Sequence, residues 1–93
     1  MNSFSDAMVR LRGRFLERAA SDLGDLRKWT REPPDDPERL RYLVHRVAGA
    51  AGTFGYDSLS DYAKSAEDAL ILGRGDRSAA LARLMEELER VTA

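Results

Sequence analysis

A chain of 93 residues is expected to form one domain spanning 1–93, with a core that needs neither disulfides nor metal. Fifteen lysines and arginines against sixteen aspartates and glutamates leave a net charge of −1, which excludes the broad positive surface of a nucleic-acid binder. The lack of cysteine excludes disulfide frameworks, thiolate metal sites and thiol nucleophiles. No run approaches the roughly 18 apolar residues of a membrane span, and the opening Met1-Asn2-Ser3-Phe4-Ser5-Asp6 has neither the basic nor the apolar part of a leader. A cytoplasmic monomer with no membrane and no nucleic acid among its partners is the expectation.

Phe4, Met8, Leu11, Phe15, Ala19, Leu23 and Leu26 recur at steps of three and four, which predicts a helix over about 5–30. Ser3 or Ser5 is the expected cap, and Gly13 or Gly24 offers a break. Glu32-Pro33-Pro34-Asp35-Asp36-Pro37 then ends the helix, with Asp36 as the cap and Pro37 as the first residue of the next. That second helix contains the run from Val44 to Gly55. Gly52 and Gly55 loosen its end, Asp57 or Ser58 is placed to cap a third helix to about Leu72, and Gly73-Arg74-Gly75-Asp76 forms the following turn. Leu81, Leu84, Met85, Leu88 and Val91 mark a fourth helix from Arg77. Four amphipathic helices with short connections predict an all-α, antiparallel up-and-down four-helix bundle, with a short extra N-terminal helix if the first segment breaks. Trp29 is expected to cap the bundle, the arginines to form a solvated set alternating with acids, and Asp35-Asp36 and Glu86-Glu87 to serve as cap and surface charges.

The second helix carries the only histidine of the chain. At about 100° per residue, Leu40, Leu43, Val44, Val47, Ala51 and Phe54 cluster within about 50° of one direction, while His45 points about 140° away from it, into water. On that outward face its neighbours three, four and seven residues on are Ala48, Gly49 and Gly52, none long enough to cover the ring. Each glycine weakens the helix by about 1 kcal/mol relative to alanine. Close packing against the core is no reason for Gly49, which lies about 180° from the apolar direction. Access is one: a partner must bring its reacting atom within bonding distance of an imidazole nitrogen, and a side chain at position 49 stands in that path. One histidine among scattered carboxylates lacks metal-ligand spacing, and no nucleotide-binding or kinase motif is present.

His45 with Gly49 and Gly52, then Thr53-Phe54-Gly55, Leu59, Ala63 and Glu67, resembles the signature of the histidine-containing phosphotransfer (HPt) domains of two-component phosphorelays. The resemblance covers about thirty residues, His45 to Leu70. It implies that His45 is the phosphoacceptor, taking a phosphoryl group from the aspartate of a response-regulator receiver domain or passing one to it, with Gly49 as the clearance residue. It implies no cofactor of the chain's own, Mg²⁺ in the receiver, and a hybrid histidine kinase as a further candidate partner. Glu67 matches a position that holds an acid or amide in the family, where it orients the imidazole or else pairs with Lys64 or Arg41. The chain departs from the family in having Ala48 and Ala50, where a lysine and a small polar residue are usual. A substitute cation is then sought in Arg41, Arg46 or Lys64; Arg41, four residues back and about 40° around the helix from His45, is the first choice. Two other readings use the same residues: a non-catalytic HPt-like adaptor that binds receivers, and a structural homodimer through the N-terminal stripe.

Overall fold

The computed structural model describes residues 3–93, and among them four helices and no strand. They are α1 (Ser3–Arg31), α2 (Pro37–Thr53), α3 (Asp57–Leu72) and α4 (Arg77–Thr92). Each helix packs against its neighbours in sequence, α4 closes back onto α1, and no helices approach closely across the diagonals. With such short connections the result is the expected antiparallel four-helix bundle. The most extensive contact is between α2 and α3, and the slightest is between α1 and α2.

Local chemistry sets the boundaries. Asp36 caps α2 by accepting from the Glu38 amide at 3.0 Å, with Pro37 at the first helical position. Asp76 does the same for α4 through the Ala79 amide at 3.2 Å. At the end of α2 the Tyr56 amide reaches back to the Ala51 carbonyl and the Gly55 amide to Gly52, the paired bonds of a Schellman ending. That ending places Gly55 at φ +80°, a conformation costly for any residue with a Cβ. Position 56 is consequently the cap residue of α3. Asp57 and Ser58, the expected caps, lie inside the helix, where Asp57 complements the helix dipole in the first turn.

Helix α1 runs without a break through Gly13 and Gly24, so there is no separate N-terminal helix, and Ser3 and Ser5 both lie within it. The residue that precedes Ser3 is outside the described residues. At 29 residues α1 is about 43 Å long, against about 25 Å for the others. Its N-terminal part therefore overhangs the bundle, which explains why Phe4 and Leu11, expected in the buried stripe, are exposed. Burial begins at Phe15, whose ring stacks on Phe54 and Tyr56 at centroid distances of 5.5 and 5.4 Å. From there Ala19, Leu23 and Leu26 join Leu43, Val44, Val47, Leu59, Leu84 and Leu88 in one core. Trp29 closes the other end, half-buried, with the Arg39 guanidinium 5.4 Å from its ring centroid.

Two charged positions depart from the surface role expected of them. Glu87 is buried and meets Arg90 at 2.5 Å, one helical turn on. Arg46 turns inward to Asp22, a buried acid on the apolar stripe of α1, at 2.7 Å. Arg18 adds a second, longer contact to the same carboxylate at 3.6 Å. The Arg46–Asp22 bond ties the two helices that share the least packing. Asp22→Ala strands a guanidinium whose Nε is already buried without a partner, and is expected to cost about 2–3 kcal/mol, reduced from a fully buried pair because Arg46 stays partly in water. Tm should fall by roughly 10–20 °C in a domain of this size. Asp22→Leu combined with Arg46→Leu should lose much less, since no charge is left behind; equal losses by thermal circular dichroism would show that the two residues do not act as a pair.

Candidate functional site

The side chain of His45 is 73% exposed at mid-helix on α2. Its Nδ1 lies 2.5 Å from Oε2 of Glu67, which comes from α3 and is partly buried. A carboxylate only accepts, so Nδ1 carries the proton and donates. In the neutral ring this leaves the lone pair on Nε2, the nitrogen turned away from the protein. The imidazole is thus held at one edge and free at the other.

The α2–α3 seam makes this reach possible. Ala48 lies on it, and Ala48 and Ala51 of α2 and Ala63 and Ala66 of α3 are all buried, so both helices turn small side chains inward. The buried Ser60 hydroxyl donates to the Ala48 carbonyl at 2.9 Å. Seven residues beyond His45, a Cβ built on Gly52 would stand 3.5 Å from Ser60 Oγ, an ordinary contact. A Cβ on Gly49 would meet nothing within 4 Å. Neither glycine is required by packing or by a positive φ. What Gly49 leaves is open surface one turn beyond the imidazole.

The structure brings some of the sequence-derived residues together and separates others. His45, Gly49 and Gly52 share the outer side of α2, and Glu67 joins them from α3 as the orienting partner. Ala48, expected on that open face, is 6% exposed, because α3 lies over it. Arg41, the expected substitute cation, is engaged one turn back with Glu38 at 2.9 Å. Arg46 is held by Asp22 on the α1 side. Lys64 is exposed on α3. Two contributors were not anticipated. Ser60 locks the seam and Asp22 withdraws Arg46; each shows in the sequence as a polar residue inside an apolar stripe, between Leu59 and Ala63 in one case and between Ala19 and Leu26 in the other. Among the described residues no group of three or more histidines, cysteines or acids is placed to hold a metal ion, and no helix is long and apolar enough to cross a membrane.

Residues 10–93 match the family model of the Hpt domain. The chain matches no curated protein and no solved structure with significance.

The Glu67 contact has a direct spectroscopic consequence. In ¹⁵N spectra of the neutral ring, the wild type should show a protonated Nδ1, and Glu67→Ala should shift the population toward the Nε2-protonated form, as in a free imidazole. An unchanged tautomer would mean that Glu67 does not orient the ring. Gly49→Ala should stabilise the bundle by about 0.5–1 kcal/mol, as an alanine in open helical surface does. A drop in Tm would show that position 49 is packed.

Proposed function

The chain belongs to the Hpt domain family, whose members carry out histidine phosphotransfer in phosphorelays with receiver and kinase partners, and we propose that its own acceptor is Nε2 of His45. The nitrogen attacks the phosphorus of a receiver's phosphoaspartate; the N–P bond forms as the P–O bond to the aspartate carboxyl breaks, and the carboxylate leaves with the bonding pair. No proton has to move, because Nδ1 keeps its hydrogen and the positive charge that develops on the ring is offset by Glu67. The reverse sequence delivers the phosphoryl group to the aspartate of a second receiver. Mg²⁺ belongs to the receiver in this scheme, and the chain supplies the nucleophile, its orientation and a clear path. A cytoplasmic location, where such receivers work, goes with the reading.

The observation that carries it is the pairing of an outward, mid-helix imidazole, fixed at Nδ1, with open surface at Gly49. A surface histidine without a task needs neither the partner nor the vacancy. Tyr42, exposed one turn before His45, offers the receiver an apolar contact at the rim, and the complex is transient because each partner has to be released.

The test is transfer from a receiver domain charged with acetyl phosphate, read as acid-labile, alkali-stable phosphate on this chain. His45→Gln should stay folded and lose all label. Gly49→Arg should also lose it, although its Tm is at least that of the wild type, because the long side chain lies across the approach to Nε2. Label that persists in His45→Gln rejects the acceptor; a wild type that binds charged receivers and takes no label is the receiver-binding adaptor instead.

A further inference from the structure

A phosphoryl group on Nε2 brings up to two negative charges to a surface whose nearest acid, Glu67, is already negative. Some cation must offset this on one side of the encounter, and the structure accounts for every cation on α2 and α3. There are four: Arg39, Arg41 and Arg46 on α2 and Lys64 on α3. Arg39 lies over the Trp29 ring, Arg41 pairs with Glu38, and Arg46 pairs with Asp22. Among the described residues Lys64 alone of the four has no such partner, although Asp61, Glu67 and Asp68 lie three or four residues from it on the same helix. Glu67 is turned to His45 instead.

Its place on α3 follows from two contacts. Ser60 and Glu67 both touch α2, the first at Ala48 and the second at His45. Lys64 is four residues from one and three from the other, so all three lie on one flank of α3, the flank that faces α2. The register is equally constrained. His45 meets Glu67, and seven residues on in α2, Gly52 meets Ser60, seven residues back in α3. Three residues along from the first contact, position 48 on α2 therefore comes opposite position 64 on α3. Position 48 is a buried alanine, and the lysine across the seam is exposed. Position 48 itself offers no more than a methyl group, and a Cβ on Gly49 would meet nothing within 4 Å.

We propose that Lys64 is the catalytic cation of this site: its ammonium, reaching across the seam from α3, contacts the phosphoryl oxygens on Nε2 of His45 in the transfer transition state and in the phosphorylated product. This rests on the reading of His45 as acceptor. A flexible ammonium suits the task, because it can follow a group that arrives and departs, and as a point charge it imposes no fixed geometry on the oxygens. It leaves Glu67 free to hold the ring, so that cation and orienting acid come from one helix and the nucleophile from another.

The experiment uses phosphoramidate, a small donor that brings neither a lysine nor Mg²⁺ of its own. Nε2 attacks its phosphorus, the P–N bond breaks and ammonia leaves with the bonding pair. Phosphohistidine formation and decay are followed by ³¹P NMR on the whole chain. Lys64→Ala should form phosphohistidine about tenfold more slowly, on the order of one charge-assisted hydrogen bond at an exposed site. Lys64→Glu should be slower still, Lys64→Arg should remain within about threefold of the wild type, and Arg41→Ala should match it. High salt should narrow the gap between wild type and Lys64→Ala. The ¹⁵N tautomer of His45 and the Tm should be the same in all four variants, which separates charge from structure. Equal rates in wild type, Lys64→Ala and Lys64→Glu, with His45 labelled in each, overturn the role of Lys64 and leave the acceptor standing. An unlabelled His45 in the wild type overturns both.

Discussion

The close approach of α2 and α3 is the constraint on which the rest of the site depends. Small buried residues on both helices, Ala48 and Ala51 on one and Ala63 and Ala66 on the other, go with this approach, and the Ser60 hydroxyl fastens the seam to the Ala48 carbonyl. Only at that separation does a glutamate on α3 reach a ring rooted on the outer side of α2. The same closeness has a cost, because a helix that presses on position 48 covers it. Orientation of His45 and burial of Ala48 are therefore one fact seen from two sides.

Charge is distributed around the histidine by the same geometry. Each arginine of α2 is occupied by a structural partner, and the most committed is Arg46, which carries the one side-chain hydrogen bond between α1 and α2 among the described residues. Burying an ion pair is a weak source of stability, since desolvation offsets most of the attraction. Its value here is directional: the bond fixes how α2 is rotated about its axis relative to α1, and that rotation decides where the adjacent residue, His45, points. One helix cannot both be moored by its cations and spend them on an incoming anion. A free cation has to come from a neighbouring helix.

The helices, their order, the proline-marked connection and the outward histidine were legible in the sequence because each rests on local rules: a 3.6-residue period, Asp36 before Pro37, and glycine just past the end of α2. What was not legible depends on distance between helices. Arg41 is close to His45 on one helix by angular arithmetic, yet it turns to Glu38, an acid three residues away on the same helix, while the acid beside the ring, Glu67, is taken up by His45. Ala48 reads as outward when α2 is considered alone and is buried once α3 is present. The exposure of Leu11 follows from the length of α1 relative to its partners, which no single stripe encodes. Glycine gave the opposite error: Gly13 and Gly24 offered places for a break, but each weakens a helix by only about 1 kcal/mol, too little to interrupt this one.

A site this open has a thermodynamic character of its own. With the ring in water, its bond to Glu67 and any contact between Lys64 and a phosphoryl group act in a high dielectric, where each is worth little. On the proposed reading a receiver that docks over Gly49 and Gly52 displaces that water, and the same contacts strengthen where the charge moves. On the proposed reading, the apparatus is strong only inside the complex. The free phosphorylated chain is held by weak, solvated interactions on both sides of the ring, so the phosphoryl group is never bound so firmly that the next receiver cannot take it. On the same reading the glycines that weaken α2 serve this end: they let a partner come close enough to complete a site that the chain alone leaves half built.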